Sequence, residues 1–289
     1  MNWLRALFAA LLLAAAPLTL GQSATIVYYP GTDADDMRVD YYLRLLKLVL
    51  QKSGGNYQLQ PTGQAMVPPR VVQQMESKGA VDVLWSPTNP DLEQRLLPIR
   101  IPIDKGVLGW RLLLIKKSDR ERFARIHTLG QLQAMEAGQQ RDWIDTGILR
   151  ANGIPVVSAG LYKPMFQMLA SGRFQYFPRG MAEIWDEAAQ NAHLDLEVEP
   201  HLALHYPLQT YFFVSRHNPA LARRIEQGLQ RAIQDGSFDA LFEQCNGKFI
   251  RRAHLGSRTV FELRNPEPSA APYKPSGLHL STAPLAPAD

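Results

Sequence analysis

The sequence predicts an α/β protein with mostly parallel sheets, divided into two units joined by two long crossover strands. Three observations carry this. Strand-like and helix-like segments alternate along most of the chain, the order that builds parallel sheets. Residues 81–85 form a near-continuous apolar run, the pattern of a strand covered on both faces. Two long apolar segments, 106–116 and 208–215, bracket a middle block large enough to be a unit of its own. Two crossings between units would make a hinge.

The elements follow in order. Residues 25–29 are β-branched and aromatic, closed by Pro30-Gly31, hence a strand and a turn. Tyr41, Tyr42, Leu45, Leu46, Val49 and Leu50 form one helical stripe within 33–53, stopped by Gly54-Gly55. A short strand is expected at 57–60. Pro68-Pro69 opens a helix that ends at Gly79. After the strand at 81–85 comes a polar loop, 86–91, and then the first long strand. The middle block reads as helices at 128–135, 143–151, 162–171 and 181–190, with strands at 155–157, 174–177 and 194–198. The second long strand leads to helices at 219–234 and 238–245, separated by an Asp235-Gly236 turn. From Asn265 onward Pro, Ala and Ser dominate, a composition that cannot bury a core.

Composition narrows the function. The 289 residues are 46% hydrophobic and 20% charged, as expected of a chain with a core rather than a disordered polyampholyte. Lys+Arg 31 against Asp+Glu 27 leaves +4, and the basic residues alternate with acids, as in Asp119-Arg120-Glu121-Arg122. No uninterrupted basic face exists for nucleic acid. Cys245 is the single cysteine, which excludes a disulfide framework and any CxxC site. Arg5, the apolar run 6–16, Pro17 and the small residues up to Ala24 have the order of a secretory signal. The run is too short for a spanning helix, which needs about 20 apolar residues. Cleavage is expected between Gly21 and Ala24. No cysteine stands there, so a lipoprotein anchor is not expected and the mature protein is expected to be soluble and periplasmic.

Residues 79–115, GAVDVLWSPTNPDLEQRLLPIRIPIDKGVLGWRLLLI, resemble the first-lobe signature of solute-binding protein family 3, with the periplasmic binding protein type II fold. The runs LYKPMFQMLASGRFQYFPRGMAEIW and YFFVSRHNPALARRIEQGLQRAIQDGSFDALFEQ are similar to the second-lobe element and the return strand with its helices. The resemblance covers about residues 25–250. It implies a first lobe of 25–110 plus 208–255, a second lobe of 111–207, and a tail of 256–289. It also implies closure on a small polar solute, delivered to an ABC-type importer in the inner membrane. The alternatives are a ligand-sensing module acting with a membrane sensor, and a small-molecule lyase on the same fold.

Open α/β sheets bind ligands at the carboxyl ends of their strands. Tyr29 ends the first strand, where its ring can cover a ligand or pack between lobes. Ser86 and Thr88 follow the strand at 81–85, where hydroxyls can donate to a carboxylate or simply make a turn. Arg95 corresponds to the family's carboxylate-binding arginine, but six residues separate it from Thr88 where the family has two. That spacing can turn it to solvent or onto Glu93. Trp143 can stack on a ligand or belong to the core, and the amides of 138–141 can receive an anion at the following helix start. In GRFQYFPRG the family's ammonium-binding aspartate falls on Gly180, beside Arg179. A cation in place of an anion implies a small polar or anionic solute rather than an ordinary amino acid.

His201 and His205 lack the helix and third ligand of a metal site, and Glu183 and Glu187 read as one solvated helix face. No metal, no cofactor and no catalytic residue is expected, and the protein is expected to be a monomeric binder rather than an enzyme. Its expected partners are the solute and a permease or sensor in the inner membrane.

Overall fold

The structure is a computed structural model that describes residues 25–31 and 39–267. The expected secretion signal and the Pro-rich run after 267 lie outside the described residues.

In the first lobe β1 (Thr25–Gly31) pairs in parallel with β2 (Tyr57–Ala65). Between them α1 (Asp40–Lys52) buries Tyr41, Leu45, Leu46, Val49 and Leu50, the stripe read from the sequence. Helix α2 (Pro68–Glu76) leads to β3 (Val83–Pro87), which lies beside β1: the Asp82 amide donates to the Tyr28 carbonyl at 2.9 Å. Within the expected loop, Asn89 caps a short α3 (Pro90–Arg95) by accepting from the Leu92 amide at 2.8 Å. A brief β4 (Leu97–Ile99) follows.

The chain then enters the second lobe on β5 (Trp110–Lys116), every residue of which is buried except the last. Helices α4 (Arg120–Phe123) and α5 (Leu129–Gln133) follow, the second opened by a capping box of Thr128 and Gln131. Next come β6 (Ala137–Gln140), α6 (Ile144–Ala151), β7 (Val156–Ala159), α7 (Pro164–Ala170), β8 (Phe177–Gly180), α8 (Ile184–Gln190), β9 (Leu196–Val198) and β10 (Leu202–His205). Strand β11 (Thr210–Val214) returns to the first lobe between β3 and β4. There α9 (Pro219–Gln234) packs on α1. Gly228 permits the approach, since a Cβ there would stand 2.0 Å from the Val49 carbonyl oxygen.

The sheets are mixed rather than mostly parallel. β1–β2 and β6–β7 are parallel, whereas β5 runs antiparallel to β8, β9 and β10, and β11 to β3 and β4. The cause is the crossover itself. A strand arriving from the other lobe enters the sheet from the opposite end. The two crossings lie side by side, with the Tyr206 amide donating to the Gly109 carbonyl at 3.2 Å and the Ile103 amide to the Thr210 carbonyl at 3.0 Å. A Cβ at Gly109 would meet the Tyr206 carbonyl oxygen at 2.4 Å.

The last segment departs from expectation. Helix α10 (Ser237–Ala253) continues past its expected end at Cys245, because the apolar spacing continues through Phe249 and Ile250. Residues 258–265 then cross to the second lobe instead of starting a tail at 256. Strand β12 (Thr259–Glu262) pairs in parallel with β10 from Leu202↔Thr259 to His205↔Glu262. Asn152 bonds both to the Arg264 carbonyl and from its amide, at 2.7 and 2.9 Å. The two lobes therefore share three chain crossings among the described residues.

The start of α10 is held by Asp235. The Lys52 ammonium and then the Ser237 side chain and amide lower its pKa from 3.8 to about 2. A depressed acid contributes stability that is present above its unfolded pKa and lost as pH falls through the folded value. Wild type is thus expected to be more urea-resistant than Asp235→Asn at pH 5, with the difference gone at pH 1.5. A pH-independent difference would assign the effect to packing.

Candidate ligand site between the lobes

The carboxyl ends of β1, β3, β6 and β8 meet near the crossings. On the first-lobe side stand three half-exposed rings. Trp85 on β3 lies 6.1 Å from Tyr29 and stacks on Tyr42 at 5.9 Å with a 16° tilt. On the second-lobe side is a charged cluster. Arg179 on β8 is buried, with Nε donating to Glu187 at 2.7 Å and Nη2 to Glu187 and Glu183, each at 2.6 Å. Its guanidinium lies 4.6 Å from the Trp143 ring, 4.9 Å from Phe177 and 5.3 Å from Tyr162. Burial lowers its pKa, but the charges of Glu187 and Glu183 outweigh that and raise it above its ordinary value.

Arg111, the single charge inside the apolar run of β5, is equally buried. It pairs with Asp145 of α6 at 2.6 Å and donates from Nε to the Tyr206 hydroxyl at 2.8 Å, while that hydroxyl donates to Asp145. The remaining Nη1 points to Gly180. A Cβ at Gly180 would stand 3.0 Å from Nη1 and 3.1 Å from the Glu183 carboxyl carbon. The space vacated by a side chain at 180 is therefore filled by Arg111 and by the carboxylate of Glu183, three residues on.

A buried carboxylate, Asp104, and the half-buried ring of Tyr42 stand beside the crossings. Asp104, between β4 and β5, accepts from the Thr210 hydroxyl at 2.7 Å and the Gly106 amide at 3.0 Å. Burial raises its pKa against those bonds. Tyr42 has its pKa pushed well up by burial, then by the charges of Asp104 and Glu183.

The expected site residues separate into two groups. The structure brings Trp143 and Arg179 together and places Tyr29 on the opposite shelf. Ser86 is half-buried near that shelf, its hydroxyl donating to the Pro87 carbonyl at 2.9 Å. Thr88 is turned inward, its hydroxyl held by Glu93 at 2.7 Å. Arg95 forks onto Glu76 of α2 through two bonds of 2.8 Å and reaches Asp91 at 3.4 Å. The wide spacing from Thr88 places it on the α2 side, onto Glu76 rather than Glu93. The segment 138–140 is strand, not a helix start, and α6 begins only at Ile144. Arg179 offers no free charge to an anion, because three carboxylates (Asp145, Glu183, Glu187) face two guanidiniums (Arg111, Arg179). The basis for an anionic solute is therefore removed.

Trp85, Arg111 and Asp145 have no role in the sequence reading. Arg111 carried a usable signal, since a lone charge in a buried strand needs a buried partner. Glu183 and Glu187 were assigned to solvent, yet they bracket Arg179. His205 bonds to Glu262 at 2.6 Å and stacks on Trp110. Among the described residues no group of three or more His, Cys, Asp or Glu could hold a metal ion. A surface depression of about 510 Å³, lined by Arg122, Arg125, Gln131 and Met135 among others, lies on α4 and α5 and shares no residue with this site.

No protein-family model matches the chain, and no curated protein does. Solved structures do. An arginine-specific periplasmic binding protein of Salmonella typhimurium is similar with TM-score 0.58 and 15% identity, over 77% of this chain and 99% of that one. A histidine kinase sensor domain similar to periplasmic binding proteins gives 0.56 and 15%, over 78% and 96%. An ancestral amino-acid-binding protein, precursor of cyclohexadienyl dehydratase, gives 0.54 and 16%, over 76% and 95%. At these identities the likeness shows the fold alone, the two-lobed type II fold shared with periplasmic binding proteins.

Proposed function

We propose that the protein binds a small polar solute between its lobes and closes on it, without catalysing its conversion. The observation that carries this is the junction: a narrow set of crossings with an aromatic shelf on one side and a charged cluster on the other. Such a junction lets two rigid units swing while keeping the facing residues aligned. Delivery to an ABC-type importer in the inner membrane is the main use we assign to it, in a mature chain located in the periplasm. A sensing role is the second reading, favoured by the similarity to a kinase sensor domain. Among the described residues no helix is long and apolar enough to cross a membrane.

A ligand at 100 times its dissociation constant adds about 2.7 kcal/mol to stability. A thermal-shift screen of polar metabolites should find a clear rise, and small-angle scattering should show compaction with the same compound. No compaction with the best hit would end the closure reading, and release of a product from it would make the protein an enzyme. Membrane pull-down should recover a permease for the first use and a sensor for the second.

A further inference from the structure

Outside the chain crossings, a side chain of one lobe stacks on a ring of the other. Helix α10 packs on α9 and α1 of the first lobe, whereas α8 packs on β9 and β5 of the second. Arg252, in the last turn of α10, places its guanidinium 4.1 Å from the centre of the Trp185 ring on α8. Taking closure of the lobes as given, we propose that Arg252 and Trp185 form an inter-lobe latch, which favours the closed form and sets how far the cleft is closed before a solute enters. Trp185 lies between Glu183 and Glu187, the two carboxylates that hold Arg179. The helix that Arg252 covers is therefore the one that carries the charged cluster, and the cluster moves with the latch.

Two opposing forces act on the pair. Arg252 makes no ion pair among the described residues, so no carboxylate draws it off the ring; its neighbour Arg251 is the one bound, to Glu243. A guanidinium is attracted to the negative face of a ring, and tryptophan offers the strongest face. Separating the lobes ends that attraction. The indole N–H pulls the other way. Trp185 Nε1 is buried without a hydrogen-bond partner, and a guanidinium, which carries donors only, cannot accept from it. Leaving a buried donor unpaired is unfavourable, and opening gives it water. The stacked contact thus favours closure and the unpaired donor favours opening. Their difference is small, so contacts with a solute can decide the balance.

Small-angle scattering of the full chain without any added solute tests this, read as a mixture of open and closed forms. Arg252 is exposed, so Arg252→Gln removes the cation without opening a gap in the core. The variant should have a larger radius of gyration than wild type, with the closed-to-open ratio lowered about two- to fivefold, the range of an exposed cation–ring pair. In a Trp185→Leu background the same replacement should change nothing, because its partner is already gone. An Arg252→Gln radius equal to that of wild type overturns the latch, as does an equal increase in the Trp185→Leu background, which would place the effect of Arg252 elsewhere. If Trp185→Leu does not fold, Arg252→Gln alone decides. Closure itself is judged separately, by compaction of wild type in the metabolite screen. Wild type that compacts with a metabolite while Arg252→Gln matches it without one keeps the closure reading and loses the latch.

Discussion

Arg179→Ala is expected to destabilise the protein by about 3–5 kcal/mol, the loss seen when one partner of a buried ion pair is removed. The side chain is 3% exposed and is bound by two carboxylates. Removing it leaves Glu187, itself buried, without its cation, and opens a gap beside Trp143, Tyr162 and Phe177. The double replacement Arg179→Met with Glu187→Leu removes both charges and keeps the volume, so it should recover most of the loss. Urea denaturation measures both. A loss below about 0.5 kcal/mol is the mark of a surface residue and would show that the pair is not formed.

Ending the chain after Ser257 should be comparably damaging, although the sequence there reads as the approach to a tail. The truncation removes β12, with Phe261 at 8% and Leu263 at 3% exposure in the second-lobe core. Burial of each such side chain contributes about 1.5–3 kcal/mol. It also removes Arg258, which donates to the Glu199 and Leu202 carbonyls at 2.6 and 2.9 Å and stands 3.8 Å from the fully buried Glu199 carboxylate. The two apolar side chains alone sum to about 3–6 kcal/mol, and each kcal/mol shifts the midpoint of a chain this size by roughly 2–4 °C. A drop of about 10–20 °C in scanning calorimetry is expected, while ending the chain after Glu267 should leave the midpoint nearly unchanged. Equal midpoints for the two truncations would mean that β12 is not part of the second-lobe sheet.

Most of the fold was legible because it is written in local pattern. The stripe of α1 and the start of α9 at Pro219, with Asn218 capping by its side chain, follow from spacing and end residues. The short strands β6, β10 and β12 were harder. A run such as Thr259–Glu262 carries one buried side chain, too little alternation to announce a strand. Strand β8 begins at Phe177 rather than ending there, because Phe174 and Tyr176 are core residues that precede the ladder. The side-chain contacts of the expected site residues were least legible. Arg95 and Thr88 sat where a resemblance placed them, but side-chain contacts with Glu76 and Glu93 direct them elsewhere.

By itself the sequence determined the alternation of strands and helices, the caps and turns that punctuate them, and the presence of two crossover strands. These depend on interactions within a few residues of each other, so linear order contains them. Only the tertiary structure decided which charges meet. Arg111 finds Asp145 on α6 and Tyr206 on the returning crossing, and Glu183 fills the space left by Gly180. A third crossing at 258–265 ties the end of the chain to the second lobe. A carboxylate on a helix has the same local signature whether it faces water or a guanidinium. The difference is set by which strand packs beneath it, and that is a property of the assembled sheet.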